Sequence, residues 1–243
     1  MVHTNLYNTL FGKNQKGGNV GNLVSFGKNK NFFKLLDEKK GFLMMVFANL
    51  IVQLGITYYV MENSKNEKEK LDIKMWIVLV IGLFALIFVI SLDLPLWLKT
   101  LIFTIFSSLI GYMLSFLRNR VDPTIIKTAI FGTMGIFGSM FSFGLIMILF
   151  GVELSQRFGG WLLLILLLYI IVKIVTMFMG NYSNFVKGFL IFGLTLFSVF
   201  IIYDTNQILQ KDYYGDFITA SMDYYLDIIN IFVKLVNLMS LEE

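Results

Sequence analysis

Polar residues recur at helical spacing within the last apolar stretch of the sequence, residues 216 to 240. They are Asp223, Asp227, Asn230, Lys234 and Asn237. Steps of four, three, four and three residues place all of them on one stripe of an α-helix. Each ionised residue near the centre of a membrane helix costs about 2.5–3.5 kcal/mol, whereas each Leu, Ile, Phe or Val offsets only about 0.3–0.6 kcal/mol. We therefore expect this stripe to lie against other helices or water, or to carry neutral carboxyl groups.

The preceding apolar stretch, residues 185 to 209, places Asp204 and Gln207 about one helical turn apart near its end. A short connection joins the two stretches, so we expect them to pack as an antiparallel hairpin. Asp204 then meets Asp227 if the two helices are offset by about one turn. Asp223 is nearer to Asp204 in depth, so it remains an alternative partner.

Two carboxyl groups held close together in a low-dielectric interior cannot both ionise readily, because desolvation and mutual repulsion oppose the second charge. Such a pair shares a proton and acts as a proton sensor. When it is deprotonated, it offers only oxygen ligands, which suit a hard cation such as calcium. A pair of Asp204 with Asp227, or with Asp223 as the alternative, is therefore predicted to sense protons and to bind calcium transiently when deprotonated. The competing interpretation is that these aspartates only cap helix ends, as we expect Asp216 to do for the last helix.

Two lysines lie inside apolar stretches. Lys234 has three interpretations: it neutralises an aspartate, it extends to the membrane interface, or it forms the Schiff base of a seven-helix retinal protein. The last needs an acidic counterion on the third helix, and residues 96 to 117 contain neither Asp nor Glu. Lys173 either extends to the interface or pairs with an acid elsewhere in the chain.

The sequence argues against an enzyme and against a resident cofactor. It contains no cysteine and one histidine, His3, which excludes disulfides and thiolate metal sites. No nucleophile with an adjacent base, metal-ligand cluster or cofactor-binding loop is visible. We therefore predict neither catalytic residues nor a cofactor, with calcium entering only as a transported ion.

Composition and hydropathy indicate the elements that position the aspartates. The chain has 243 residues, of which 57% are hydrophobic and 15% are charged, whereas soluble domains are roughly 25% charged. Apolar runs fall at 41–61, 75–92, 96–117, 125–152, 160–180, 185–209 and 216–240. Runs of this length are helices in lipid, and the alternation typical of a β-barrel is absent. We predict an all-α membrane protein with a seven-helix transmembrane domain over residues 41–243.

A polar, mobile tail is predicted over residues 1–40, ahead of the first apolar run. It is rich in Asn, Gly and Lys and shows no signal peptide. Lysines beside a first membrane segment set its orientation and attract anionic lipid, so the lipid bilayer explains them better than nucleic acid does. We expect the N-terminus to be cytoplasmic.

Two motifs near the end of the chain resemble the signature of the Bax inhibitor-1 (transmembrane Bax-inhibitor-motif) family. Residues 196 to 205 read LFSVFIIYDT, and residues 224 to 232 read YYLDIINIF. Their order and separation agree with that family, as do the size and hydropathy of the chain. The polar tail and the charged first loop, residues 62 to 74, look most like its Lifeguard branch.

The resemblance implies a seven-helix bundle with a central last helix. It also implies a pH-sensitive calcium leak through endoplasmic reticulum, Golgi or plasma membranes, with suppression of apoptosis in eukaryotic members. Asp204 and Asp227 match the paired aspartates that sense protons and control the pore in this family. Bacterial relatives add an arginine near the end of the second helix, but residues 91 to 99 contain none. Lys99, Lys173 and Lys234 are the candidate substitutes.

The leading hypothesis is a calcium leak channel of an intracellular membrane, gated by protonation of Asp204 and Asp227, which lowers stored calcium and inhibits apoptosis. Asp223, Asn230, Lys234, Gln207 and Lys173 are additional candidate pathway or partner residues. One alternative is a membrane-embedded apoptosis inhibitor that contacts apoptosis-regulating membrane proteins without conducting ions. A proton-coupled transporter is a third.

Overall fold

The structure, a computed structural model, describes residues 24–26, 32–64, 73–179 and 183–242. These ranges contain seven α-helices: α1 (Phe32–Asn63), α2 (Ile73–Ile90), α3 (Leu96–Arg118), α4 (Pro123–Leu149), α5 (Gln156–Met179), α6 (Ser183–Gln210) and α7 (Phe217–Met239). Two short strands accompany them, β1 (Val24–Phe26) and β2 (Val152–Leu154). Each of the seven predicted apolar stretches holds one helix, so the predicted all-α membrane bundle is confirmed.

The first helix begins at Phe32, within the segment that we assigned to the polar tail. Phe32, Leu35 and Leu36 pack against the hydrophobic core, which explains why helical structure starts before the long apolar run. Strand β1 also falls within that segment. The other residues of the predicted tail, 1–23 and 27–31, lie outside the described residues.

Five helices are long and apolar enough to cross a membrane by length and composition, and they are Phe32–Asn63, Leu96–Arg118, Pro123–Leu149, Gln156–Thr176 and Val186–Gln210. Helix α2 carries a shorter apolar stretch, Ile77–Ile90. Helix α7 is not among the five, because Asp223, Asp227 and Lys234 interrupt its apolar sequence. It therefore needs the other helices to shield its polar groups.

Helix α7 lies at the centre of the bundle. It packs against α1, α3, α4 and α6, and 13 of its 23 residues are buried. Large apolar side chains of the surrounding helices point outward, as in Phe84, Phe131 and Leu163. An apolar exterior around a helix with a polar stripe is the arrangement that a lipid environment favours.

Contacts between helix ends define two faces of the bundle. On the face where α1 begins, Lys39 donates to the carbonyl oxygen of Lys211, and Lys99 pairs with Asp216. We call this the N-terminal face. On the opposite face, Arg118 at the end of α3 bonds the carbonyl oxygen of Glu62 at the end of α1. The helices therefore run alternately up and down.

Strands β1 and β2 pair antiparallel on the N-terminal face, with Val24 opposite Leu154. The connection between α4 and α5 contains β2. Two side chains at the end of α6 hold β2 in place: Asn206 accepts from the Leu154 amide at 2.8 Å and donates to the Val152 carbonyl at 2.9 Å, and Gln207 donates to the Leu154 carbonyl at 2.7 Å. The small sheet thus lies within one turn of Asp204.

Candidate functional site at the α6–α7 hairpin

A tight turn joins α6 to α7. Tyr214 and Gly215 adopt positive φ angles of 51° and 83°, so the chain reverses within a few residues. Asp216 caps α7 as expected, because its Oδ1 accepts from the Thr219 amide at 3.0 Å. Lys99 lies 2.5 Å from the other carboxylate oxygen of Asp216. The beginning of α3 is thereby attached to the beginning of α7.

Beyond this turn, the hairpin brings Asp204 and Asp227 together. Their side chains lie within hydrogen-bonding reach of each other. Asp204 is partly buried, whereas Asp227 is only 4% exposed. The Oδ2 atom of Asp227 receives no hydrogen bond from the described part of the chain. Two carboxyl groups can form a hydrogen bond with each other only when one of them carries a proton.

Asp223 belongs to the same cluster. It lies one turn before Asp227 on α7, is partly buried, and is close enough to Asp204 and Asp227 to repel them electrostatically. The structure therefore does not separate the two partners that the sequence left open. It assembles three carboxyl groups, of which Asp204 and Asp227 make the direct contact.

A cation acts on this cluster: Lys211, the first residue after α6, interacts electrostatically with Asp204 and Asp223. Burial lowers the pKa of its ammonium group, although the charges of Asp223 and Asp204 act in the opposite direction. Sequence reasoning missed Lys211, because it lies in the turn and not inside an apolar stretch. Of the three lysines proposed instead, Lys99 pairs with Asp216.

Lys234 is buried on α7 among aromatic rings. Its Nζ atom lies 4.3 Å from the ring centroid of Phe197 and 5.4 Å from that of Tyr169, and 3.3 Å from Asn230 Oδ1. Gly193 faces the lysine, where a side chain would collide with it. No carboxylate within the described ranges forms an ion pair with Lys234. The hypothesis that it neutralises an aspartate is not supported by this geometry.

Two further residues that the sequence predicted for the pathway, Gln207 and Lys173, do not belong to the carboxyl cluster. Gln207 holds β2 through its amide nitrogen, and its Oε1 atom is buried without a donor in the described structure. Lys173 is exposed on α5, near enough to Lys234 for the two charges to repel. Neither contacts the carboxyl cluster through a hydrogen bond or ion pair seen in the described residues. No three Asp, Glu or His side chains of these residues are arranged to hold a metal ion.

A polar network between α1, α3 and α7 also escaped the sequence interpretation. Gln53 is fully buried; its Oε1 accepts from Ser107 at 2.9 Å and its Nε2 donates to Thr104. One turn further along α1, the hydroxyl group of Thr57 lies 2.5 Å from that of Tyr225. The sequence signal that could have revealed this network is the amide of Gln53 inside the first apolar run, because an uncharged polar group in a membrane helix needs a partner.

Comparisons with known proteins point to one family. A family model described as "Inhibitor of apoptosis-promoting Bax1" matches residues 39–243. Bax inhibitor 1 of Homo sapiens is 32% identical over 126 residues, which is 51% of either chain. Protein LIFEGUARD 1 of Arabidopsis thaliana is 42% identical over 45 residues, 18% of this chain and 19% of that protein.

A viral relative adds a shorter match. The Golgi anti-apoptotic protein of Vaccinia virus (strain Lister) is 44% identical over 48 residues, 20% of each chain. The chain spans about half the length of the Bax inhibitor 1 relatives, at 50% to 51%.

Proposed function

The chain belongs to the Bax inhibitor-1 family, and from this premise we propose that it is a pH-sensitive calcium leak channel of an intracellular membrane. We further propose that it inhibits apoptosis by lowering the calcium stored behind that membrane. The names of its relatives, which include a Golgi anti-apoptotic protein, support this second part. The N-terminal face, where Lys34, Lys39 and Lys40 lie in the first turns of α1, is proposed to be cytoplasmic.

The contact between Asp204 and Asp227 carries the proposal. With one shared proton, the pair has half the charge of two carboxylates and leaves few oxygen lone pairs free for an ion. Loss of that proton leaves two adjacent carboxylates, which repel each other and attract a divalent cation. Proton binding and calcium binding therefore compete for the same oxygen atoms, and this competition makes conduction depend on pH.

The surroundings of the pair support passage of an ion along the hairpin. Asp223 extends the acidic surface toward the N-terminal face, where Lys211 stands beside it. Acidic side chains at successive turns of one helix provide several weak sites, which conduction requires. Lys211 adds a positive charge at the end of that row, so we propose that it is the basic partner of the cluster.

The proposal is tested by calcium flux into proteoliposomes between about pH 5 and pH 8. The parent chain is compared with Asp204→Asn and Asp227→Asn at matched incorporation, because each variant keeps the side-chain shape and removes one carboxyl group of the pair. We expect the parent to conduct with a pH dependence that both variants lose. Asp212→Asn is the matched control, since Asp212 is exposed in the same turn and, among the described residues, its carboxylate bonds the Tyr214 amide and not the pair.

Absence of flux at every pH would refute the channel. Flux that is indifferent to both substitutions would show that the pair is structural. A double variant that folds, conducts nothing and still protects cells would favour the alternative, an inhibitor that acts through protein contacts.

A further inference from the structure

An apolar groove opens on the outside of the bundle between α1, α4 and α7. Its volume is about 810 Å³, within the range of ligand-binding cavities. Its back wall is formed by buried residues such as Leu50, Ile228 and Phe232, and its rim by exposed ones such as Ile51 and Phe131. The groove is therefore a recess in the surface that faces lipid.

The groove extends over at least one leaflet of a membrane. Its lining runs from Lys127 to Phe137 on α4 and from Phe47 to Met61 on α1. These stretches of helix rise about 15 Å and about 21 Å, whereas half of the hydrocarbon thickness of a bilayer is roughly 15 Å. Lys127 lies in the second turn of α4, and α4 begins on the opposite face. The groove thus runs from the interface on that face toward the middle of the membrane.

One charged residue lines the groove, and that residue is Lys127. Its side chain is exposed and makes no hydrogen bond or ion pair with any residue that the structure describes. A lysine at the interfacial end of a leaflet-deep apolar recess is complementary to a molecule with an apolar chain and an anionic head.

We propose that the groove holds one acyl chain of an anionic phospholipid, with the lipid phosphate against Lys127. The lipid belongs to the leaflet on the opposite face. The acyl chain packs against α7 beside Ile228 and Phe232, and Ile228 directly follows Asp227 in the sequence. This site is independent of ion conduction, so it stands or falls separately from the proposed channel.

Native mass spectrometry of the full chain in detergent tests the proposal with two lipids that share their acyl chains, palmitoyl-oleoyl phosphatidylserine and palmitoyl-oleoyl phosphatidylcholine. We expect the parent to retain one phosphatidylserine about fivefold more strongly, the factor that corresponds to about 1 kcal/mol for one basic residue at a membrane surface. Lys127→Gln should remove this preference. Lys74→Gln, at an exposed lysine on the same face outside the groove, should keep it.

A second variant tests the apolar part of the site. Gly55 lines the groove, and a Cβ atom added there meets no protein atom within 4 Å. Gly55→Leu should therefore fill the recess and weaken the binding of both lipids. Gly135→Leu is the control, because Gly135 has equal free space on α4 but lies outside the groove.

Equal retention of the two lipids by the parent would overturn the assignment of an anionic headgroup. Unchanged binding by Gly55→Leu would overturn the assignment of the groove. A dimer that Gly55→Leu dissociates, with lipid binding unaffected, would identify a second copy of the chain as the occupant instead.

Discussion

Helix α7 presents hydroxyl groups to α1 and α3 on one face and carboxyl groups to α6 on the other. On the hydroxyl face, Ser221 accepts from Asn49 at 2.5 Å, and Tyr225 bonds Thr57 at the same distance. On the carboxyl face, one oxygen of Asp227 and one of Gln207 are buried without a donor within the described residues. We call the hydroxyl face closed, because its polar groups are paired, and the carboxyl face open, because it keeps buried oxygen atoms without a donor.

The difference separates polar groups that hold the fold from polar groups that are available for chemistry. A buried polar network in which every member is paired makes the arrangement of its helices specific. A buried group left unpaired costs free energy, and its retention calls for an explanation such as a role in proton or ion binding. Both faces belong to one helix and lie at the same depth, but they meet different helices and differ in the pairing of their polar groups.

The largest expected effect comes from breaking the closed face at Tyr225. Its side chain is fully buried and packs edge-on against Phe103 and Phe106. Tyr225→Ala should lower the free energy of unfolding by about 3–5 kcal/mol, as for other buried aromatic side chains. Tyr225→Phe keeps the ring and should cost only about 1–2 kcal/mol. Unfolding by SDS titration in mixed micelles measures both, and equal costs would contradict the importance of the ring.

A smaller effect is expected at Asp216, a carboxylate whose oxygen atoms accept hydrogen bonds from Lys99 and Thr219. Burial alone would raise its pKa, but hydrogen bonds from Lys99 and Thr219 outweigh burial and hold the pKa below the ordinary value of 3.8. A lowered pKa in the folded state stabilises the fold above pH 3.8, and this stability is lost as pH falls through the folded pKa. Asp216→Asn keeps the helix cap and leaves the buried Lys99 without a counterion.

We expect Asp216→Asn to cost about 2 kcal/mol near pH 7, less than the removal of one partner from a fully buried pair, because a quarter of the Asp216 side chain is exposed. The cost should diminish as pH falls through the lowered pKa of Asp216, because the parent carboxylate is then protonated as well. Melting curves of parent and variant across this range measure the difference. A cost that is independent of pH would show that packing, and not the ion pair, is responsible.

Much of the fold could be predicted because each helix is encoded locally. An apolar run of membrane length sets a helix, and the helical stripe on α7 shows that one face needs partners. The short connection after α6 restricts Asp204 to the neighbourhood of Asp223 and Asp227. These inferences use residues close in sequence, so they need no knowledge of how distant helices pack.

The remaining contacts could not be predicted because they join distant parts of the chain. Gln53 meets Ser107 across 54 residues, and Lys39 meets Lys211 across 172. Which helices become neighbours depends on the summed packing of the bundle, and no single residue reveals it. The pairing of β1 with β2 has the same cause, since three-residue strands carry little periodic signal.

The smallest expected effect on stability is that of Asp227→Asn, and measuring it beside Gln53→Leu compares the two faces of α7 directly. Gln53→Leu preserves size but leaves the hydroxyl group of Ser107 without its acceptor, so it should cost about 1–3 kcal/mol. Asp227→Asn also preserves size, but its amide can donate to Asp204 without a shared proton. It should therefore change the free energy of unfolding by no more than about 1 kcal/mol, the net worth of one hydrogen bond.

Both variants are measured by the same SDS titration near pH 7, with the proteoliposome flux recorded in parallel. Gln53→Leu should lower stability and leave the pH dependence of flux intact, while Asp227→Asn should do the reverse. If Asp227→Asn costs as much as Gln53→Leu, the two faces of α7 contribute equally to stability. That result would contradict the proposal, because an amide should replace a carboxyl group that serves in proton exchange with little loss of stability.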